Sequence, residues 1–324
     1  MLYSTRFTQD AGIAYPIICG PMFPCSNPSL VAAVSANGGL GVVQPMALTY
    51  VYGLDFRQGL REIRRITVNP IGMNALIEKS ANKYYKRMQM WVDIALDEGV
   101  RFFITSLGNP RWVVDRVHAA GGIVYHDATS LKWAQKGRDG GANGIVAVNN
   151  RAGGHAGTLS AKALFEQLQM LNLPLVCAGG IGDERAFTEA LQMGYAGVQM
   201  GTRFIASVEC SVNNDYKQAI LRASESDIVL TERITGIPVS VIRTPYVERV
   251  GTHVSPLLRR LLQYPRTKYL ARAWLSLRAG AQLKRSLSAA QGREDYWQAG
   301  KSVAGITRIE SVAEIMQRFV NSYG

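Results

Sequence analysis

The chain of 324 residues is poor in the residue types that build metal and disulfide sites, with four histidines and four cysteines. Cys19, Cys25, Cys177 and Cys210 are widely spaced beside apolar runs. They match neither a disulfide framework nor a paired zinc signature, and no close-spaced metal-ligand set emerges. No apolar stretch reaches the ~18 residues a transmembrane helix needs, and the opening MLYSTRFTQDAG lacks the apolar centre of a signal peptide. The expected location is a reducing cytoplasm. No Gly-x-Gly-x-x-Gly follows an apolar run, which argues against a Rossmann nucleotide site. The glycines have no three-residue period, which excludes collagen. Acidic residues are also scarce, 24 against 36 Lys and Arg, for a net charge of +12. Such a surface attracts nucleotides, phosphorylated cofactors, acidic proteins or lipid headgroups.

A 47% hydrophobic share supports a large core, which rules out wholesale disorder. Short apolar runs recur at 16–19, 40–43, 71–76, 101–105, 122–125, 144–148, 174–178 and 197–200, each ending in glycine or a polar residue. They are nearly continuous in hydrophobicity rather than alternating, which indicates strands buried on both faces, and therefore parallel. Segments with helical spacing separate them, at 28–35, 84–96, 112–119, 131–138, 161–171 and 185–192. Asn27-Pro28 and Asn109-Pro110 read as helix starts. About eight strand–helix units predict an α/β fold of the TIM (β/α)8 type rather than a doubly wound sheet. The pattern changes after residue 205. The simplest organisation is a barrel of residues 1–210 and 301–324, interrupted after strand eight by a mostly helical, basic insertion over 211–300. A last helix is expected over 303–320.

Two glycine sites lie at the ends of the seventh and eighth strand candidates, Cys177-Ala178-Gly179-Gly180-Ile181 and Met200-Gly201-Thr202-Arg203-Phe204. Loops at these two places in a TIM barrel commonly hold a phosphate, because glycine lets backbone N–H groups approach an anion. Either site alone could be a plain strand-to-helix turn. A third loop, Asn149-Asn150-Arg151-Ala152-Gly153-Gly154-His155-Ala156-Gly157, follows strand six and would lie over the barrel mouth. There His155 could donate or accept a proton near neutral pH, or serve only as a structural hydrogen-bonding residue. His126, beside Asp127, is a second pocket candidate, and His118 is expected on the surface. Gly20-Pro21-Met22, Gln44, Asn74 and Thr105-Ser106 complete a ring able to bind the polar edge of a planar heterocycle. The basic run over 257–286, with Arg259, Arg260, Arg266, Lys268, Arg272, Arg278, Lys284 and Arg285, reads as a solvated helical face or as a surface for an acidic carrier protein, an acyl-CoA or an anionic membrane. No binding module accompanies the charge, so nucleic acid is not an expected partner.

Taken in order, 16–22, Ala36-Asn37-Gly38-Gly39-Leu40-Gly41, Gly72-Met73-Asn74, 152–157, 177–182 and 200–204 resemble the nitronate monooxygenase family, formerly 2-nitropropane dioxygenases. That superfamily also includes flavin-type enoyl-acyl carrier protein reductases and NADH:quinone reductases. The resemblance implies non-covalent FMN at the mouth of a TIM barrel. Gly179, Gly180, Gly201 and Thr202 would hold the phosphate, Pro21 and Met22 would line the isoalloxazine, and Asn74 would hydrogen-bond it. His155 would be the active-site histidine of the Gly-His-x-Gly motif. The implied reaction is oxidation of an alkyl nitronate with O2 to a carbonyl compound and nitrite. The alternative is NAD(P)H-dependent reduction of an enoyl thioester or a quinone, and a homodimer is compatible with either. The chain departs from the family pattern at Val148-Asn149-Asn150, where an acidic residue is frequent, at Asp127, where some relatives carry lysine, and at Lys301, where a neutral residue is usual.

Overall fold

In the computed structural model, which describes residues 4–77, 82–264, 267–287 and 295–322, eight parallel strands close into a barrel in the order β1 to β8. The chain runs α1 (Arg6–Ala11), β1 (Ile17–Cys19), α2 (Pro28–Ala36), β2 (Leu40–Val43), α3 (Phe56–Ile66), β3 (Ile71–Leu76), α4 (Asn82–Asp97), β4 (Phe102–Ser106), α5 (Arg111–Ala119), β5 (Ile123–Ala128), α6 (Leu131–Asp139), β6 (Gly144–Val148), α7 (Ala161–Leu168), β7 (Leu175–Ala178), α8 (Glu184–Gln192) and β8 (Gly197–Met200). The barrel closes where β1 pairs with β8, Ile18 opposite Gln199 and Cys19 opposite Met200. Each strand expected from the apolar runs is present, within a few residues at its ends. Helix α3 was not among the expected helices; Asp55 caps its start, accepting from the amides of Arg57 and Gln58.

Side-chain alternation along the strands decides which residues meet inside. Leu40, Val42, Phe102, Ile104, Tyr125, Val146 and Val176 fill the barrel interior, while Met73, Phe103 and Val124 face outward toward the helices. Helix α1 plugs the N-terminal end. Its Phe7 sits 5.8 Å, ring to ring, from Phe102, and Tyr125 Oη donates to Asp10 at 2.9 Å. The open end is therefore the one at the strands' C-termini. Continuing the same alternation, the inward positions toward that end include Gly20, Gln44, Asn74, Ser106, Asp127, Val148, Ala178 and Gln199.

After β8 come α9 (Thr202–Ile205), α10 (Asn214–Arg222), β9 (Ile228–Thr231), β10 (Val239–Ile242), α11 (Pro245–Val250), α12 (Pro256–Gln263), α13 (Lys268–Ser286) and α14 (Val312–Asn321). The 211–300 region is not helical throughout, since β9 and β10 form an antiparallel pair rich in β-branched residues. These strands, with Ile234, Val247, Ala279, Leu283 and Tyr296, enclose a small apolar core. Trp297 stacks on Tyr216 at 5.3 Å and leads the chain back to the barrel. The final helix is shorter than the expected 303–320. Residues 301–305 form a 3-10 turn, and α14 starts only after Ser311, which with Glu314 builds a capping box. Of the basic run, Arg266 and the side chains of Arg259, Lys268 and Arg272 lie outside the described residues. Arg278 lies over the Trp274 ring, and Lys284 Nζ donates to Tyr50 O at 2.8 Å.

Candidate active site

The mouth of the barrel carries polar groups of three kinds. The first is a chain of hydrogen bonds across adjacent strands. Asn74 is buried on β3 and donates through Nδ2 to Ile104 O at 3.2 Å and to Ser106 Oγ at 3.4 Å. Ser106 Oγ in turn donates to Asp127 Oδ2 at 2.5 Å. The other carboxylate oxygen, Oδ1, is buried with no partner. Burial raises the Asp127 pKa to about 6, and the Ser106 hydroxyl offsets part of that rise. On β8, Gln199 Oε1 is likewise buried and unpartnered, its side chain lying across Gly20, where a Cβ would come within 2.9 Å. Buried polar atoms without a partner are rare in folded proteins and point to a bound group that satisfies them. Two such acceptors facing one mouth suit the N–H groups of a planar heterocycle.

The second kind is backbone. Gly179 and Gly180 have φ of +116° and +85°, a region that favours glycine. Asn149 clamps Gly179, donating to its carbonyl at 2.9 Å while accepting from Arg151 N at 2.8 Å. A Cβ on Gly179 would lie 2.5 Å from Asn149 Oδ1. Gly201 differs: its φ is −111°, and a Cβ there would meet only Met22, with Sδ at 3.3 Å. Met22, half-buried after β1, is anchored by its amide to Ser26 Oγ at 2.8 Å, and Pro21 beside it is also half-buried. Thr202 is buried, and its hydroxyl is already engaged, accepting from Gly300 N at 3.0 Å. No acceptor for the N–H groups of Gly180, Gly201 or Thr202 is found among the described hydrogen bonds. The helix after β7 offers no anion site of its own, because Asp183 caps it and Glu184 follows. The loop amides are what an anion would meet.

The third kind is the loop after β6. It is held between β10, where Ser240 N donates to Gly154 O at 2.8 Å, and the returning chain, where Lys301 N donates to Arg151 O at 2.9 Å. His155 is exposed along one edge and crowded by protein elsewhere, which lowers its pKa. Its Nε2 lies 3.2 Å from Thr235 Oγ1. The Thr235 hydroxyl donates to Ile237 O at 3.1 Å, so it has only a lone pair left for His155. That assigns the proton of the neutral imidazole to Nε2 and leaves Nδ1 as the basic atom.

The structure thus brings Met22 against Gly201, and Asn74 into line with Ser106 and Asp127. It places Gly179 and Gly180 beside the His155 loop. His126 is not part of the mouth. It points outward, bonded to Thr105 Oγ1 at 2.8 Å and covered by Gly137 of α6, and burial lowers its pKa to about 4. His118 is exposed, as expected. Arg203, next to Thr202, turns away to pair with Glu310 at 3.3 Å. Gln199 and Thr235 escaped the sequence reading. Gln199 had a signal, a lone polar side chain inside the apolar run of β8, whereas nothing local marks Thr235. Among the described residues no group of three or more His, Cys, Asp or Glu could hold a metal ion, and no helix is long and apolar enough to cross a membrane.

A family model described as nitronate monooxygenase matches residues 4–322. The chain is 27% identical over 297 residues to a probable nitronate monooxygenase of Staphylococcus saprophyticus, covering 78% of this chain and 82% of the relative. It is 26% identical over 295 residues to the (3aS,4S,5R,7aS)-5-hydroxy-7a-methyl-1-oxo-octahydro-1H-indene-4-carboxyl-CoA dehydrogenase of Rhodococcus jostii, covering 91% of this chain and 80% of the relative. Among solved structures, FabK from Thermotoga maritima superposes with a TM-score of 0.78 at 28% identity, over 99% of this chain and 96% of that one. Nitroalkane oxidase from Streptomyces ansochromogenes shares the fold, with a TM-score of 0.75 at 21% identity over 98% and 97% of the two chains.

Proposed function

Because this chain belongs to the nitronate monooxygenase family, a family of flavoenzymes, and is an oxidoreductase, we propose that it binds FMN and oxidises alkyl nitronates with O2 to carbonyl compounds and nitrite. The observation that supports this reading is that Gly179-Gly180 and Gly201-Thr202 follow the adjacent strands β7 and β8, with Met22 against Gly201, at a mouth whose inward positions hold the unpartnered acceptors of Asp127 and Gln199. When bound, FMN supplies the redox chemistry. The chain's own contribution is binding, orientation and proton handling.

In this reading the amides of Gly180, Gly201 and Thr202 hold the phosphate. Pro21 and Met22 would line one face of the ring, and the Asn74–Ser106–Asp127 chain would hold its polar edge in register. His155 stands at the rim, where a small anionic substrate would enter. Its lowered pKa keeps the imidazole neutral at pH 7, with Nδ1 free to take a proton and Nε2 fixed by Thr235. The net positive charge favours an anionic substrate.

A second reading, NAD(P)H-dependent reduction of an enoyl thioester, is favoured by the FabK superposition at 28% identity and by the exposed cations Arg278, Lys284 and Arg285 on α13. An anaerobic visible titration of the purified flavin-loaded protein separates the two. Bleaching by an alkyl nitronate and not by NADH or NADPH supports the monooxygenase. Rapid bleaching by NADH or NADPH transfers the assignment to the reductase, and a protein that purifies without flavin and takes up none overturns both.

A further inference from the structure

The loop after β6 also carries a cation, Arg151. Arg151 Nε lies 2.7 Å, and its Cδ 3.0 Å, from where a Gly180 Cβ would stand. The guanidinium stem therefore rests directly on the glycine turn after β7. Both Nη atoms are paired with the carboxylate of Glu225, Nη1 at 3.0 Å from Oε2 and Nη2 on Oε1. Glu225 opens a 3-10 turn, Glu225–Asp227, just beyond α10. Nε–H has no acceptor among the described hydrogen bonds. The backbone ties this arginine to the rest of the cradle: Arg151 O accepts from Lys301 N, and the preceding Gly300 N donates to Thr202 Oγ1. Loops from β6, β7 and β8 and the chain returning from the insertion therefore abut around one point.

We propose that Arg151 is the cationic ligand of the flavin phosphate and that Glu225 is the carboxylate the phosphate displaces from it. The assignment rests on the FMN reading and deepens it. A phosphate monoester carries about −1.5 to −2 charges at neutral pH, and three loop amides supply only partial positive charge. A guanidinium presents several N–H donors in one plane and matches phosphate oxygens well, and here Nε lies against the glycine turn with no acceptor among the described hydrogen bonds. The ion pair it must leave is half-exposed, with side chains 39% and 40% accessible, so solvent screens it and a doubly charged phosphate can compete with the single carboxylate charge. Flavin binding would then release the Glu225 side chain, while the turn that carries it stays held by the Ser224–Asp227 capping box and by Arg243.

The test compares FMN with riboflavin, which lacks the phosphate, as dissociation constants for the full flavin-free chain read from quenching of flavin fluorescence. Arg151→Met keeps the stem that covers Gly180 and removes the charge. It is expected to weaken FMN roughly tenfold or more and leave riboflavin unchanged. Glu225→Gln removes the competing carboxylate and is expected to tighten FMN several-fold, again with riboflavin unchanged. If the ion pair were only structural, Glu225→Gln would weaken FMN, or both variants would move the two flavins together; either result overturns the assignment. Tight FMN binding indifferent to Arg151→Met overturns the assignment alone. A wild-type chain that binds neither flavin overturns the FMN reading and this assignment with it.

Discussion

The loops after β7 and β8 carry glycines at equivalent places, yet for different physical reasons. Gly179 and Gly180 are required by the backbone itself. Their left-handed φ values and the Asn149 and Arg151 side chains packed against them leave no room for a Cβ. Gly201 has an ordinary φ, and only the flexible end of Met22 faces it. One glycine pair builds the turn, and the other glycine keeps a surface of the mouth clear. Glycines at equivalent places after two strands therefore call for different experiments, and substitution at one loop does not report on the other.

Gly179→Ala should separate them most sharply. A left-handed alanine crowding Asn149 should cost on the order of 3 kcal/mol or more, seen as a large drop in Tm with or without flavin. A Tm close to wild type would mean that the two loops are equivalent after all. Gly201→Asp should do the opposite, leaving Tm nearly unchanged while a carboxylate beside the phosphate weakens FMN roughly 100-fold. Full flavin occupancy in that variant would place the phosphate elsewhere. Gly180→Asp is a poorer probe, since it combines backbone strain with a new partner for Arg151.

The loop after β6 extends the comparison from binding to chemistry. His155→Ala should keep FMN and lose roughly 100-fold in turnover, and unchanged turnover would remove His155 from proton transfer. Because the protein packed against part of the ring lowers the His155 pKa, the imidazole loses its proton at a lower pH than an ordinary histidine. The acid limb of kcat/KM should then lie below pH 6.5 and vanish in the alanine variant. The smallest effect is expected at Thr235, a positioning residue. Thr235→Val removes the acceptor for Nε2–H, which supports the protonated ring even more than the neutral one. The acid limb should move to still lower pH with a loss of only a few-fold in kcat, and Thr235→Ser should restore both. A pH profile identical to wild type would show that the hydroxyl does not set the tautomer.

Much of the barrel was legible because a strand buried on both faces is written as a local apolar run, and β2, β3, β6 and β8 fall where such runs lie. Helix α3 was missed because Arg57, Arg61, Arg64 and Arg65 dominate its composition, although Phe56, Leu60 and Ile63 form its buried stripe. The end of the chain was misjudged because the apolar residues after 303 continue a helical spacing across a segment that is instead held by partners: Glu310 pairs with Ser207 and Arg203, and the true helix waits for the Ser311 cap.

By itself, then, the sequence determined the repeating strand–helix architecture, the two glycine loops and the histidine in the loop that precedes them, since each depends on residues adjacent in the chain. Which of those residues share a mouth was decided only by the closed sheet. Strand register turns Asp127 inward and His126 outward, and the segment after β8 brings Thr235 to His155 across 80 positions and Glu225 to Arg151 across 74. Contacts between distant segments leave no periodic trace in either one, because the loop-closure entropy they cost is repaid by the packing of the whole barrel rather than by any local pattern.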